Sequence, residues 1–198
     1  MTKLLAILTV AAWIITGFLT RHTSIHVPLA IVSIALIALA FAVDGPHLIS
    51  LLQFRVSDVI IGLAGGLVLA LLTRVAYLGA RAASPELGAH VDVLYRTMRA
   101  APPLELLLPV LVVIIACEEI VFRGVLVRDR RSAVLSVIAY TIAQLGAPSL
   151  LLAPIALGCG VLWSAERLWR GGLIAPYLTH LTWSLLTLVY FPLDGPLM

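Results

Sequence analysis

Charge is what this chain has least of. Asp, Glu, Lys and Arg make up 12% of its 198 residues, about half of what a soluble domain carries. With 62% hydrophobic residues and a mean hydropathy of +1.11, the chain has too little polar surface for an ordinary water-soluble fold. Basic runs are scarce as well. "RDRR" (Arg128 to Arg131) is the longest and no nucleic-acid motif accompanies it, so the net charge of +3 points to membrane topology and no nucleic-acid partner is expected. The two cysteines, Cys117 and Cys159, lie in separate apolar segments outside any C-x-x-C pair. They read as small core residues, with no redox role. No H-E-x-x-H zinc motif occurs, and there is no internal repeat or low-complexity tract.

Long apolar runs are what the chain has in quantity, and about 20 residues of helix cross a bilayer. The expected fold is all-α: a polytopic transmembrane bundle forming a single membrane domain over residues 1–198. Seven spans are expected, at about residues 4–20, 27–43, 59–77, 104–127, 133–145, 150–163 and 173–191. The amino-terminal "MTKLLAILTVAAWIITGFLT" resembles a signal peptide. It has no clear small-x-small cleavage site, so it reads as a retained first helix. "RHTSIH" joins the first two spans, and "DGPHLISLLQFRVSD" reads as a Gly/Pro-marked turn with an interfacial piece. Pro102-Pro103 opens the fourth span, Gly146-Ala147-Pro148 turns the chain after the fifth, and "SAERLWRGG" turns it after the sixth.

Residues 80–103 are the most polar stretch. Ser84-Pro85-Glu86 signals a helix start. Leu87, Val91, Leu94 and Met98 then share one helical face, with Asp92, Arg96 and Arg99 off it. This is expected to be an amphipathic helix on the membrane surface. With the amino terminus inside, the inner side holds Lys3, Arg55, Arg128, Arg130, Arg131, Arg167 and Arg170. The outer side holds Arg21, Arg74, Arg81, Arg96 and Arg99. The excess, and its position close to helix ends, favours a cytoplasmic amino terminus.

Against this background "CEEIVFRG" (Cys117 to Gly124) is costly, because a carboxylate in hydrocarbon costs about 2.5–3.5 kcal/mol on insertion scales. Glu119 and Arg123 are four apart and can pair on one helical face. Glu118 is then left over, a candidate general base for activating water; an ion-pair network that merely fixes helix packing is the alternative. On the last span His180 and Ser184 also share a face. They read either as interhelical hydrogen-bonding groups or as part of a site. A Ser–His hydrolase lacks an evident orienting acid and oxyanion turn. Gln144, inside the fifth span, needs partners in lipid and should face the same interior. His22 and His26 are i,i+4 but read as a solvated loop, and Gly62, Gly65, Gly66, Gly158 and Gly160 read as close helix packing.

"EEIVFRG" resembles the E-E-x-x-x-R signature of the CPBP family, the CAAX-prenyl-protease and bacteriocin-processing (Abi) proteins, which are intramembrane metalloproteases. "GCGVLWSAERLWRGGLIAPYLTHLTWS" is similar to the family's later glycine-rich helix, basic turn and H-x-x-x-N helix. The resemblance covers residues 104–189 as a catalytic core and leaves residues 1–77 as accessory transmembrane helices. It implies that Glu118 activates the attacking water, that Glu119 and Arg123 support it, and that His180 binds the developing oxyanion. Two positions depart. The family's F-x-x-x-H appears as "YTIAQ", with Tyr140 and Gln144, and the final Asn is Ser184. Gln cannot shuttle a proton as imidazole does.

The resulting expectation is an intramembrane endopeptidase in a prokaryotic plasma membrane, contacting membrane lipid and acting on a peptide or membrane-protein substrate. A divalent metal such as Zn, if bound, would use Glu118 and His180. The alternatives are a pseudoprotease, which Gln144 and Ser184 favour, and a small transporter using the Glu/Arg cluster as a proton relay. The absence of repeated halves counts against the last.

Overall fold

The computed structural model describes residues 2–20, 25–99, 104–147 and 149–193, with the side chains of 2, 3, 95–99 and 104 left aside. His22, Arg21, Pro102, Pro103, Pro148 and the side chains of Lys3, Arg96, Met98 and Arg99 therefore lie outside the described residues. Among the described residues there is no strand. The helices are α1 (Thr2–Leu19), α2 (His26–Leu51), α3 (Val56–Ala83), α4 (Pro85–Arg99), α5 (Leu104–Glu118), α6 (Arg130–Ala143), α7 (Leu152–Arg170) and α8 (Ile174–Ser184). A π-helical turn, Glu119–Val125, continues α5, a 3-10 turn, Gln144–Gly146, follows α6, and a second π-helical turn, Leu185–Tyr190, continues α8.

Each expected span corresponds to a helix, but among the described residues only α2 and α3 are, by length and composition, long and apolar enough to cross a membrane. α1 has a shorter apolar stretch, Leu4–Leu19. The outward faces are apolar, with Ile7, Ile15, Leu71, Val75, Leu135 and Val161 all exposed. A water-facing surface seldom presents so much contiguous apolar area, whereas a lipid-facing one does.

Several expected turns are helical. "DGPHLISLL" does not leave the helix: α2 runs on to Leu51 with a kink at Asp44 (φ −150°, ψ 32°). Pro46 explains the bend, since it lacks an N–H and crowds the preceding turn. The kinked Asp44 pairs with Arg128. "SAERLWR" is likewise the last part of α7, which ends only at Gly171, in the left-handed region at φ 72°. After the first π-helical turn, Asp129 and Ser132 form a reciprocal capping box that restarts the chain as α6.

The main core gathers α1, α2, α5, α6 and α7 around Trp13, Leu48, Val121, Phe122, Tyr140 and Trp163. α3 lies close against α8. A Cβ on Gly62 would come within 2.6 Å of Leu178 Cβ, and one on Gly66 within 2.5 Å of Thr182 Cβ. Close packing holds there; Gly158, by contrast, faces open space. α4 starts as expected, with Ser84 Oγ accepting from Leu87 N at 3.3 Å. Its inward residue is Leu94, clustered with Tyr77 and Leu193, whereas Leu87 is exposed. Asp92 is not turned away, since Tyr77 donates to it at 2.5 Å. Cys117 and Cys159 are buried free thiols.

Two arginines tie α3 to its neighbours. Arg170 binds Asp58 at 2.6 Å, joining the start of α3 to the end of α7. Further along α3, Arg74 donates to the carbonyl of Leu193 at 3.1 Å.

Candidate active site

The π-helical turn is what aims the two carboxylates. Its wider winding begins at Glu119, one residue after α5 ends at Glu118. Such turns are rare inside α-helices and frequent at functional sites. Here Ser136 of α6 donates to the carbonyl of Phe122. Glu119 and Arg123 pair as the spacing suggests, Nη1 to Oε1 at 3.5 Å, with side-chain exposures of 1% and 0%. The guanidinium stands over the rings of Tyr140 (4.2 Å) and Trp163 (5.2 Å), an arrangement that suits a desolvated cation.

Glu118 is outside that pair but is not alone. Trp13 Nε1 and Gln144 Nε2 donate to its Oε1 at 3.2 and 3.1 Å. Tyr140 donates its hydroxyl to Oε2 at 3.2 Å. His180 bridges the two carboxylates. Its Nδ1 lies 2.9 Å from Glu119 Oε1 and its Nε2 lies 3.7 Å from Glu118 Oε2. The carboxylate of Glu119, ion-paired to Arg123, can only accept, so Nδ1 carries a proton and donates to it. Trp163 stacks on the imidazole, with centroids 3.6 Å apart and planes 18° apart.

A cavity of about 380 Å³ opens on this cluster. Glu118, His180, Gln144, Tyr140 and Ser184 line it, and Glu119 and Arg123 do not. The pair thus forms a buried back layer behind the two groups that face the cavity. Most of the wall is apolar, from residues such as Leu29, Leu111, Ile115 and Leu188.

Every polar residue singled out from the sequence on α5, α6 and α8 reaches this one place, although Gln144 comes from the 3-10 turn after α6 and not from the helix interior. Glu119 is also an orienting acid for His180, which the sequence did not reveal; the imidazole Nε2 nevertheless faces Glu118 and makes no hydrogen bond to Ser184. His26 is not in a solvated loop: it opens α2, is buried, and lines the cavity. Trp13 and Trp163 carried no signal in the sequence, because an aromatic residue in an apolar span looks like any other core residue.

The donor set does not fit a protein-held zinc ion. Glu118 and His180 are two ligands where zinc usually takes three from the protein. Among the described residues no group of three or more His, Cys, Asp or Glu side chains is arranged to hold a metal ion. The other neighbours of Glu118 are the N–H groups of Trp13 and Gln144 and the O–H of Tyr140. As arranged, those groups donate to the carboxylate and satisfy an anion.

Residues 100–186, less than half of the chain, match the family model described as Type II CAAX prenyl endopeptidase Rce1-like. The match spans Glu118, Glu119, Arg123, Gln144, His180 and Ser184, and it agrees with the resemblance carried by the E-E-x-x-x-R motif. The family so described is one of membrane-embedded proteases. No curated protein and no solved structure matches the chain.

Proposed function

We propose that the chain is an intramembrane endopeptidase of the CAAX-protease type, in which Glu118 activates water against a peptide carbonyl. The observation that carries this reading is the layering of the site: Glu118 and His180 face the cavity while Glu119 and Arg123 are sealed behind them. Glu118 removes a proton from a water held on the cavity side of its carboxylate, and the water oxygen attacks the carbonyl. The carboxyl group then returns the proton to the departing amine, so that peptide and water give acid and amine. Ser184, on the cavity wall, donates its hydroxyl to the developing oxyanion. His180 donates from Nε2 when both ring nitrogens are protonated, with Glu119 accepting from Nδ1.

The apolar cavity wall favours a substrate that enters from the bilayer, such as a prenylated carboxyl-terminal peptide or a membrane-protein segment. The excess of arginine at Arg55, Arg128 and Arg170 supports a cytoplasmic amino terminus.

Gln144 supports a second reading, a pseudoprotease that binds such a segment without cutting it. Its amide satisfies Glu118 Oε1 at 3.1 Å but cannot carry a proton. Purified wild type and Gln144→His, incubated with prenylated and unprenylated peptides, separate the two. Cleavage by wild type supports the endopeptidase. Cleavage by Gln144→His alone supports the pseudoprotease. The gain would approach the roughly 10²–10⁴-fold that a positioned acid–base group contributes.

A further inference from the structure

We propose that α1 is a working part of the site: Trp13 is a positioning residue that holds the Glu118 carboxylate through its indole N–H and so selects which oxygen takes the proton. Its effect on catalysis rests on the endopeptidase reading; the contact itself does not.

Trp13 lies 105 positions from Glu118 in sequence and outside the family-matched segment. It is buried, 4% exposed, and a buried indole N–H needs an acceptor. Its acceptor is Glu118 Oε1, at 3.2 Å. The second donor to the same oxygen, Gln144, sits in the 3-10 turn that α1 crosses. That crossing is tight. A Cβ on Gly17 would fall 2.2 Å from the Gly146 carbonyl oxygen, and a Cβ on Gly146 would fall 2.5 Å from Ile14 Cα. The glycines bring the two backbones together, and the two donors to Oε1 therefore belong to segments locked against each other.

A carboxylate offers about four lone-pair sites, two on each oxygen. Trp13 and Gln144 occupy both on Oε1, and Tyr140 occupies one on Oε2. The remaining site is on Oε2, the oxygen nearest His180 Nε2 at 3.7 Å. A proton taken from water is thus received on Oε2, beside the imidazole. Without the indole N–H, a site opens on Oε1 and the carboxylate loses one of the three donors that fix its plane.

Two readouts on the full-length protein, ¹⁵N-labelled and in lipid nanodiscs, test this. The chain has four tryptophans, so its indole N–H region is readable by NMR. The Trp13 signal is assigned by its loss in Trp13→Phe, or by elimination with Phe at the other three positions if that variant does not fold. Glu118→Ala should move the Trp13 proton upfield, as expected when a hydrogen bond to an anion is lost, and Gly17→Val should do the same. A Trp13 proton that stays in place in Glu118→Ala, or moves downfield, overturns the proposal. In cleavage assays Trp13→Phe should lower kcat about tenfold, the scale of one hydrogen bond to a charged group, with KM nearly unchanged. Equal kcat in Trp13→Phe and wild type overturns it as well. If wild type cleaves nothing, the endopeptidase reading falls, and the upfield shift alone upholds Trp13 as the residue that positions Glu118.

Discussion

Replacing Arg123 by Met should destabilise the protein by about 3–5 kcal/mol, the usual cost of stranding one partner of a buried ion pair. At 3.5 Å from Glu119, the gross attraction is roughly 5 kcal/mol for an effective dielectric of ~20. The rings of Tyr140 and Trp163 beneath the guanidinium add about 2 kcal/mol for a desolvated cation. Desolvation of the two ions offsets this by several kcal/mol each, so the intact pair is nearly neutral while either half alone is costly. In Arg123→Met only His180 Nδ1 still donates to the stranded Glu119; in Glu119→Gln the guanidinium of Arg123, which has no hydrogen-bond acceptor among the described residues, is left without a counter-charge. Glu119→Gln alone should cost a comparable amount. The double variant Glu119→Gln/Arg123→Met should recover most of the loss, because it removes both charges together. SDS-titrated unfolding in mixed micelles, followed by tryptophan fluorescence, gives the four stabilities. A cost for Arg123→Met below ~1 kcal/mol, as at an exposed pair, would refute the reasoning, as would a double variant that merely sums the two losses.

Trp163→Ala should lose about 3–5 kcal/mol, the range for emptying a large aromatic site, and with it the stacked support of His180; Trp163→Phe keeps a ring against the imidazole and should lose much less in thermal unfolding. Gly66→Ala should separate α3 from α8, since the added methyl meets Thr182 Cβ at 2.5 Å and the Thr179 carbonyl at 2.8 Å. Overpacking of this kind costs about 1–3 kcal/mol. Gly158→Ala, inside α7 and facing open space, should lose nothing in the same melt and gain up to about 0.5–1 kcal/mol from the stiffer helix backbone.

The polar residues of the cluster were legible because charge in an apolar chain is conspicuous. Glu118, Glu119, Arg123, Gln144 and His180 stand out against their spans, and the fold brings them within hydrogen-bonding or ion-pairing reach. The helices themselves were legible from apolar runs. Their ends were not: in a chain where most positions are apolar, periodicity gives no boundary, so α2 runs through Pro46 and α7 runs through "SAERLWR". The π-helical turn at Glu119–Val125 leaves no trace in composition. The partners of the site that are neutral aromatics, Trp13 and Trp163, could not be distinguished from core. Their roles depend on which helices meet, and that is a property of the packing.

The central claim is that Glu118 is the group that acts on water at the cavity. Steady-state cleavage of the best peptide by purified wild type and by Glu118→Gln in liposomes tests it most directly. Gln keeps the shape and one acceptor but cannot accept the proton, so the account predicts cleavage by wild type and a loss of at least about 10²-fold in kcat for the variant. Cleavage by Glu118→Gln at the wild-type rate, or no cleavage of any peptide by wild type, would contradict it.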